Sequence, residues 1–207
     1  MNLYRLMSAE SGESVRQGRI LGAVPAIVTN NQDPDGMCRV KVSFPWLSEK
    51  DESQWARIVA PMAGKERGMY FLPEVDDEVL VVFQHGDLRF PCVVGALWNG
   101  KDAPPAKNDD GKNNLRVIKS RSGHVITLND EDGKETVEIV DKTGKNSLVF
   151  DAAKNTITIA SEQDIELKAP KGKLKIEAKE VEIKSSSTAT VEASGDMTLK
   201  GATINLN

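Results

Sequence analysis

The sequence predicts an all-β protein in which a barrel of short strands is followed by a long strand-forming repeat. Three observations favour this fold class. Helical hydrophobic periodicity is weak throughout the 207 residues. Runs of β-branched and apolar residues in the first half are broken by turn-forming residues. In the second half, pairs of apolar residues flank one polar residue in unit after unit, which is typical of β-strands.

Five runs in the first half are strand candidates, and turn-forming segments separate them. The runs read "GAVPAIVTN", "CRVKVSFPW", "WARIVAP", "DEVLVVF" and "FPCVVGALW", and the segments between them read "NQDPDG", "SEKDES", "AGKERG" and "HGDLR". Gly, Pro, Asn and Asp in those segments favour turns. Five short strands around one core predict a five-stranded barrel of the OB type over residues 21–98, preceded by an N-terminal arm at residues 1–20.

A change in composition separates the two halves of the chain. Nine of the ten aromatic residues lie between Tyr4 and Trp98, and none follows Phe150. Residues 99–114, "NGKDAPPAKNDDGKNN", are rich in turn-forming residues and predict a linker or a long surface loop. We assign residues 115–156 to neck β-strands and residues 157–207 to the repeat.

The repeat is built from apolar pairs whose two members are separated by one residue. The first members of successive pairs are 8, 9, 7, 8, 8 and 7 residues apart. The pairs are Ile157/Ile159, Ile165/Leu167, Leu174/Ile176, Val181/Ile183, Ala189/Val191, Met197/Leu199 and Ile204/Leu206. This period fits a strand of three to five residues followed by a sharp turn, and it is shorter than most helical repeats.

A single copy of this repeat leaves its apolar side chains uncovered. Residues i and i+2 of a strand share a face, so each unit has one apolar and one charged face. Three chains wound together bury all the apolar faces on one axis and pair the exposed strand edges. The predicted trimer core consists of Ile157, Ile159, Ile165, Leu167, Leu174, Ile176, Val181, Ile183, Val191, Met197, Leu199, Ile204 and Leu206. A single-chain solenoid is the alternative, but its rungs usually need about twenty residues.

Charge and motif content argue against several other functions. Residues 1–100 contain ten basic and thirteen acidic side chains, which disfavours nucleic-acid binding by an OB domain. Trp46, Trp55 and Trp98 are therefore assigned to the core or to trimer contacts. Ser122 and His124 alternate around a glycine and do not form a nucleophile–base pair, and His85 has too few potential co-ligands for a metal site. We expect no catalysis, no cofactor and no metal.

Several segments together resemble one known family, the spike proteins of contractile injection machines. These are phage baseplate assembly protein V and the valine-glycine repeat (VgrG) spikes of type VI secretion. The similar segments are "NQDPDGMCRVKVSFPW", "WARIVAPMAG", "RGMYFLPEVDDEVLVVFQHGDLRFPCVVGALWNG", "APP" and "IKSRSGHVITLND". The resemblance covers residues 22–207 and implies an OB-fold collar followed by an intertwined trimeric β-helix or β-prism needle.

The resemblance also implies partners. A proline-alanine-alanine-arginine (PAAR) repeat tip protein is expected to bind the needle end at Thr203, Ile204, Asn205, Leu206 and Asn207. About twenty residues precede Gly22, so the hub domain that many members carry is expected to be a separate polypeptide on the collar side. Baseplate and tube components are further expected partners. Asp76 stands where many members have glycine, and the iron-binding His-x-His tip of some members is missing.

The expected function is that of a structural central spike. The homotrimer would pierce a target membrane with only transient contact and would have no chemistry of its own. It would be assembled in the cytoplasm as part of a phage-tail-like particle and delivered outward on contraction. The alternative is an OB-fold module that binds glycan or cell-wall polymer and uses the repeat as a spacer.

Overall fold

The structure is a computed structural model that describes residues 19–205, apart from the side chains of residues 49 and 50. The described residues form two compact units, one ending at Ile159 and the other beginning at Ala160. The strands are β1 (Val24–Asn30), β2 (Lys41–Phe44), β3 (Ser48–Glu52), β4 (Arg57–Ile58), β5 (Ala63–Gly64), β6 (Arg67–Gly68), β7 (Glu78–Phe83), β8 (Pro91–Ala96), β9 (Leu115–Lys119), β10 (Val125–Asn129), β11 (Thr136–Val140), β12 (Ser147–Asp151) and β13 (Thr156–Ala160). Within residues 19–205 there is a short 3-10 turn at Gln84–Gly86 and no α-helix, which confirms the all-β class. A helix suited to crossing a membrane is likewise not found there.

Five of the strands close into a barrel. The sheet order is β3-β2-β1-β7-β8-β4, and β4 runs parallel to β8 while the other pairs are antiparallel. An antiparallel bridge joins Val40 to Ala56, with N···O distances of 3.0 and 2.7 Å, and so connects the start of β2 to the start of β4. The ring β1-β2-β4-β8-β7 contains one strand from each of the five predicted runs, as an OB barrel requires.

The barrel core consists of inward-facing residues on these five strands. Alternation along β7 buries Val79, Val81 and Phe83 and leaves the residues between them partly exposed. The buried set is Ala26, Val28, Val40, Val42, Phe44, Ala56, Val79, Val81, Phe83 and Val93. The small β-branched residues fit a narrow barrel, and two phenylalanines fill one part of it. We call residues 21–98 the collar.

Two of the segments predicted as turns contain strands. "SEKDES" contributes β3, which pairs with β2, so the prediction of a turn there is wrong. "AGKERG" folds into the β5–β6 hairpin, where Ala63 pairs with Gly68. Charged, polar sequences of this kind can form strands because only their backbone groups need to be paired, and both segments are short.

The chain that enters the barrel is attached to the 3-10 turn. Ile20 N–H donates to the Gly86 carbonyl at 2.8 Å, and Arg19 bridges Asp87. Gly86 is buried with φ of 76°, and a Cβ there would lie 2.9 Å from Leu21 Cδ2. Only glycine combines this backbone conformation with so close an approach.

Replacing this glycine is expected to destabilise the collar. Gly86→Ala should lower the free energy of unfolding by about 2–4 kcal/mol, because the left-handed backbone penalty adds to side-chain crowding. Gly36→Ala is the matched control, since Gly36 has φ of 65° and no heavy atom within 4 Å of the added Cβ. We expect it to cost about 1 kcal/mol. Urea unfolding of both variants measures the difference, and equal losses would show that crowding at Gly86 contributes nothing.

The neck is a five-stranded antiparallel meander in the order β9-β10-β11-β12-β13. Its register places Ile126 opposite both Ile118 and Ile139, and Ile139 opposite Leu148. Short turns join consecutive strands, with Gly123, Gly133 and Gly144 at positive φ. The strand β13 holds Ile157 and Ile159, the first apolar pair of the repeat. We call β9–β13 the neck sheet.

The second unit contains regularly spaced bends and turns joined by extended chain. These begin at residues 162, 170, 179, 186, 194 and 202, in steps of 8, 9, 7, 8 and 8 residues. The apolar pairs beginning at residues 157, 165, 174, 181, 189 and 197 are spaced identically. Within residues 161–205 of the single chain there is no paired strand, because successive units do not hydrogen-bond to one another. We call residues 161–205 the repeat segment.

Candidate assembly interface

One face of the neck sheet is apolar and exposed. Paired residues in an antiparallel sheet share a face, and the register therefore places seven large apolar side chains together. They are Ile118, Ile126, Leu128, Val137, Ile139, Leu148 and Phe150. All except the partly buried Leu148 are between 39% and 49% exposed. We call this set the apolar neck face. An uncovered surface of this kind marks an interaction site.

The opposite face of the neck sheet is different. It carries Val117, Thr127, Glu138 and Val149, which are smaller or polar and all only partly exposed. Part of the loop at residues 99–114 lies beside it, since Pro104 and Val117 line one cavity. The two faces therefore differ in the size and polarity of their side chains: the apolar neck face carries six large apolar side chains that are 39–49% exposed, and the opposite face carries one, Leu115, at 43%.

The sequence prediction of the interface did not include the apolar neck face. Its alternation is visible in "VITLN" and "TVEIV", where apolar residues occupy every second position. The opposite face of the same strands also contains valines, and the sequence does not say which set is covered. The pairing of β9 with β10 and of β11 with β12 decides which side chains share a face. It places large apolar residues together on one face and leaves a mixture of apolar and polar residues on the other.

The predicted trimer-core residues of the repeat are exposed in the single chain. Their exposed fractions run from 47% at Met197 to 83% at Ile183. The described members are Ile157, Ile159, Ile165, Leu167, Leu174, Ile176, Val181, Ile183, Val191, Met197, Leu199 and Ile204, and Leu206 lies outside the described residues. Their role in a trimer remains a prediction.

Charged side chains pair on alternate positions of the same segment. Lys184 Nζ lies 2.6 Å from Glu182 Oε1, and equivalent pairs form between Lys168 and Glu166 and between Lys175 and Glu177. Each pair is separated by one residue, so both members lie on one side of the extended chain. Such exposed pairs contribute little stability. They do show that each unit has a charged side and an apolar side.

The predicted tip-binding residues are only partly described. Thr203, Ile204 and Asn205 are exposed, whereas Leu206 and Asn207 lie outside the described residues. Nothing in the single chain covers Ile204, which is 51% exposed. The prediction that these five residues bind a tip protein is not tested.

The histidines do not assemble catalytic chemistry. His124 Nδ1 accepts a hydrogen bond from the Lys142 backbone N–H at 3.2 Å, and the His124 N–H donates to Ser120 Oγ. His85 occupies the 3-10 turn with φ of 52°. In the part of the chain that the structure describes, no three His, Cys, Asp or Glu side chains are grouped for metal binding.

Two of the three tryptophans lie outside the barrel core, so for them the predicted role in trimer contacts remains the prediction. Trp46 is 50% exposed and Trp98 is 70% exposed, because both follow the inward-facing parts of their strands. Trp55 is partly buried, with Arg39 and Lys41 at 5.8 and 5.6 Å from its ring centroid. Contacts of this length are typical of cation–π interactions.

A carboxylate organises the loop between β1 and β2. Asp33 accepts hydrogen bonds from the backbone N–H groups of Asp35, Met37 and Arg39, and from the Arg39 guanidinium at 2.6 and 2.8 Å. The Asp33 side chain is only 4% exposed. The Arg39 guanidinium, with these backbone donors, holds the pKa of Asp33 well below its usual range.

Acid is expected to destabilise the collar through this loop. A carboxylate with a depressed folded-state pKa stabilises the fold above its unfolded pKa, about 3.9, and loses that contribution as the pH falls toward the folded value. Asp87, whose pKa Arg89 lowers to about 2, acts in the same direction. Stability should therefore fall between about pH 5 and pH 2.

The variant Asp33→Asn should be less stable at neutral pH and should show a flatter dependence of stability on pH. Asp35→Asn is the control, because Asp35 also contacts Arg39 but is 65% exposed. Thermal unfolding of both variants, measured from pH 2 to pH 7, gives the slope of stability against pH for each. The same slope in Asp33→Asn and wild type would contradict this role of Asp33.

An ion pair connects the collar to the neck sheet. Arg121, in the turn between β9 and β10, donates through Nη1 to Glu74 Oε2 at 2.7 Å. Arg121 is largely exposed, so the pair adds little to stability. The ion pair shows instead where the two parts meet: the 74–78 turn of the collar lies beside the β9–β10 end of the neck sheet.

The closed barrel agrees with the comparison to protein families. Residues 24–98 match the family described as the type VI secretion system/phage-baseplate injector OB domain. Those residues are therefore similar to the OB domain of injector proteins. The resemblance of the chain to VgrG-type spike and baseplate proteins is thereby confirmed.

Parts of this chain are similar to VgrG proteins from two bacteria. Type VI secretion system spike protein VgrG1b of Pseudomonas aeruginosa is 29% identical over 62% of this chain and 16% of its own length. VgrG5 of the same organism is 37% identical over 42% of this chain and 12% of its own. The actin cross-linking toxin VgrG1 of Vibrio cholerae is 27% identical over 48% of this chain and 10% of its own. The chain spans less than a fifth of each of these relatives.

Proposed function

We propose that this chain is the central spike of a contractile injection machine and acts as a homotrimeric needle. The apolar neck face is the main support for this proposal. It is a continuous sheet surface of large aliphatic and aromatic side chains, and a second and third copy would cover it. Burial of one such side chain contributes roughly 1.5–3 kcal/mol. The relatives named as spike proteins favour this role over other trimeric assemblies.

The repeat segment would extend the same assembly. Its bends recur with the apolar pairs, so each unit presents one apolar and one charged side. Three copies wound as a β-prism would pair their backbone groups with one another, which the single chain does not do. The apolar residues would then meet on the axis, and the Glu–Lys pairs would remain in solvent. This arrangement provides a stiff rod with a soluble exterior.

The role would be mechanical and without chemistry of its own. Sheath contraction would supply the force, and the rod would transmit it to an envelope that it contacts only transiently. Assembly would take place in the cytoplasm, followed by outward delivery in a phage-tail-like particle. A separate hub protein would bind on the collar side together with baseplate and tube components. A PAAR-type tip would bind at Thr203–Asn207.

The molar mass of the purified protein tests this proposal. Light scattering is expected to give three times the 22.6 kDa of the single chain. A variant ending at Ala160 keeps the whole neck sheet and loses the repeat segment. We expect it to dissociate on dilution at concentrations where the full chain stays trimeric, because it loses the apolar pairs that follow β13. A full chain that is monomeric at micromolar concentrations would refute the proposal.

A further inference from the structure

The collar bears a second exposed apolar surface, apart from the neck sheet. It surrounds the β5–β6 hairpin and forms an open groove of about 680 Å³. Its large apolar side chains are between 45% and 72% exposed. They are Met37, Val59, Met62, Met69, Tyr70 and Phe71. We call this surface the collar groove. Methionine-rich surfaces adapt their shape to a bound segment and are frequent in binding sites.

The rim of the collar groove is basic, whereas the collar as a whole is acidic. Residues 21–98 contain seven basic and eleven acidic side chains. The groove is lined by two exposed basic residues, Arg57 and Arg67, and by one acidic residue, Glu66, and the exposed Lys65 lies in the same hairpin. The Arg67 guanidinium lies over Gly64, with Nε 2.8 Å from the point where a Cβ would stand. The groove therefore favours a partner segment that combines apolar and acidic side chains.

A segment of this composition follows the groove in the same chain. Residues 74–78, "EVDDE", form a turn that leads into β7 and carry four acidic side chains around Val75; Val75, which is 47% exposed, and Asp76 are the exposed members. The turn is well fixed, since Asp77 Oδ2 accepts the Glu74 N–H at 2.8 Å and the Asp76 N–H donates to the Val28 carbonyl at 2.9 Å. We call residues 74–78 the acidic turn.

The acidic turn is not available to the groove of its own chain. Only Leu72 and Pro73 separate Phe71 from Glu74, and the backbone bonds to β1 keep the turn in place. The acidic turn of a neighbouring copy is not restricted in this way, because it is not joined to the groove by the same short segment. In a closed cyclic trimer each interface joins two different surfaces, so the groove of one copy and the acidic turn of the next can form such an interface.

The position of the acidic turn also favours a second copy as the partner. The Glu74–Arg121 ion pair places the turn beside the β9–β10 end of the neck sheet. The apolar neck face reaches the same end, because Ile118 and Ile126 pair with each other next to that loop. Copies that pack through the apolar neck face would therefore bring their collars together near this turn.

We infer that in the assembled spike the collar groove of one copy holds the acidic turn of the next. This inference rests on the proposed trimer. Val75 would contact the methionine and aromatic floor, and the exposed Asp76 carboxylate would face Arg57 and Arg67. The contact would set the rotation of the collars about the axis and would supplement the apolar packing of the neck.

Photo-crosslinking of the full chain tests this contact. Tyr70→p-benzoylphenylalanine places the reactive group in the groove, and Phe71→p-benzoylphenylalanine is the second position if the first variant folds poorly. Light scattering first establishes that the variant is a trimer. Irradiation should then give two-chain and three-chain products on a denaturing gel, with the link mapped by mass spectrometry to residues 74–78. Phe90→p-benzoylphenylalanine, an exposed aromatic position outside the groove, should give none.

Charge reversal supplies a second readout in the same experiment. Asp76→Lys should lower the crosslink yield by roughly fivefold, and adding Arg67→Glu should restore part of it. A trimer that gives no crosslink, or whose link maps outside the acidic turn, would overturn the inference and leave the trimer intact. A crosslink to an added hub protein instead of a second copy would overturn it as well. A monomeric protein would remove the proposed function together with the inference.

Discussion

Ile126→Asp is expected to convert the proposed trimer into monomers. Ile126 lies centrally on the apolar neck face, opposite both Ile118 and Ile139. In the trimer the substitution would remove three aliphatic side chains from the interface, a loss of roughly 5–9 kcal/mol per trimer. It would also bury three carboxylates without partners, which adds to the penalty. The dissociation constant should rise by more than about a thousandfold.

Two further variants test whether dissociation is specific to a charge on the apolar neck face. Ile126→Leu keeps the apolar volume and should remain trimeric. Lys119→Asp introduces the same charge on β9, but Lys119 pairs with Val125 on the other face of the sheet and is exposed. Lys119→Asp should therefore leave the molar mass of the assembly unchanged. Sedimentation velocity measures all three, and circular dichroism checks that the monomer keeps its β-structure. A trimeric Ile126→Asp would exclude the apolar neck face as the interface.

Phe83→Ala is expected to cause the largest loss of collar stability. The Phe83 side chain is 7% exposed and packs against Phe44, with ring centroids 5.6 Å apart. Its removal leaves a cavity in a narrow barrel that cannot collapse, so the free energy of unfolding should fall by about 3–5 kcal/mol. Phe90→Ala is the matched control, because Phe90 is 53% exposed and contacts the Arg89 side chain near the surface.

We expect Phe90→Ala to cost less than about 1 kcal/mol. Chemical denaturation followed by tryptophan fluorescence compares the two variants. The slope of the unfolding free energy against denaturant should be unchanged if both variants unfold in the same cooperative step. Similar losses in the two variants would contradict the assignment of Phe83 to the core.

The two substitutions probe two separate properties of the proposed spike, folding of the collar and association of the chains. The core around Phe83 determines whether a single collar folds. The apolar neck face determines whether folded copies join. A variant at Phe83 should therefore lower unfolding stability with little change in the affinity between copies, while Ile126→Asp should do the reverse. Measuring both quantities for both variants tests this separation.

Much of the collar could be predicted from the sequence, because its strands are short apolar runs between clear turn residues. Each of the five runs contains a barrel strand, and the core residues of β7 follow the alternation of "EVLVVF". The prediction failed at β3, where "SEKDE" is polar throughout. An edge strand of this kind is held by backbone hydrogen bonds to β2, and side-chain patterns do not report such bonds.

The candidate interface was predicted only in part. The period of the repeat was correct, since the bends recur at the intervals of the apolar pairs. The apolar neck face was missed, although "VITLN" alternates as clearly as "IELK". An alternating strand has two faces, and its sequence does not tell which of them another element covers. Partners and trimeric state depend on other chains and remain predictions.

The sequence by itself determined the all-β class, the barrel strands, the period of the repeat and the likeness to injection-machine spikes. These properties follow from local patterns, namely alternation, turn residues and motif order. Only the tertiary structure decided how the barrel closes through Val40 and Ala56, and which neck side chains share a face. Closure and register depend on pairing between residues distant in sequence. Such pairing is set by backbone hydrogen bonds that every residue except proline can donate and accept.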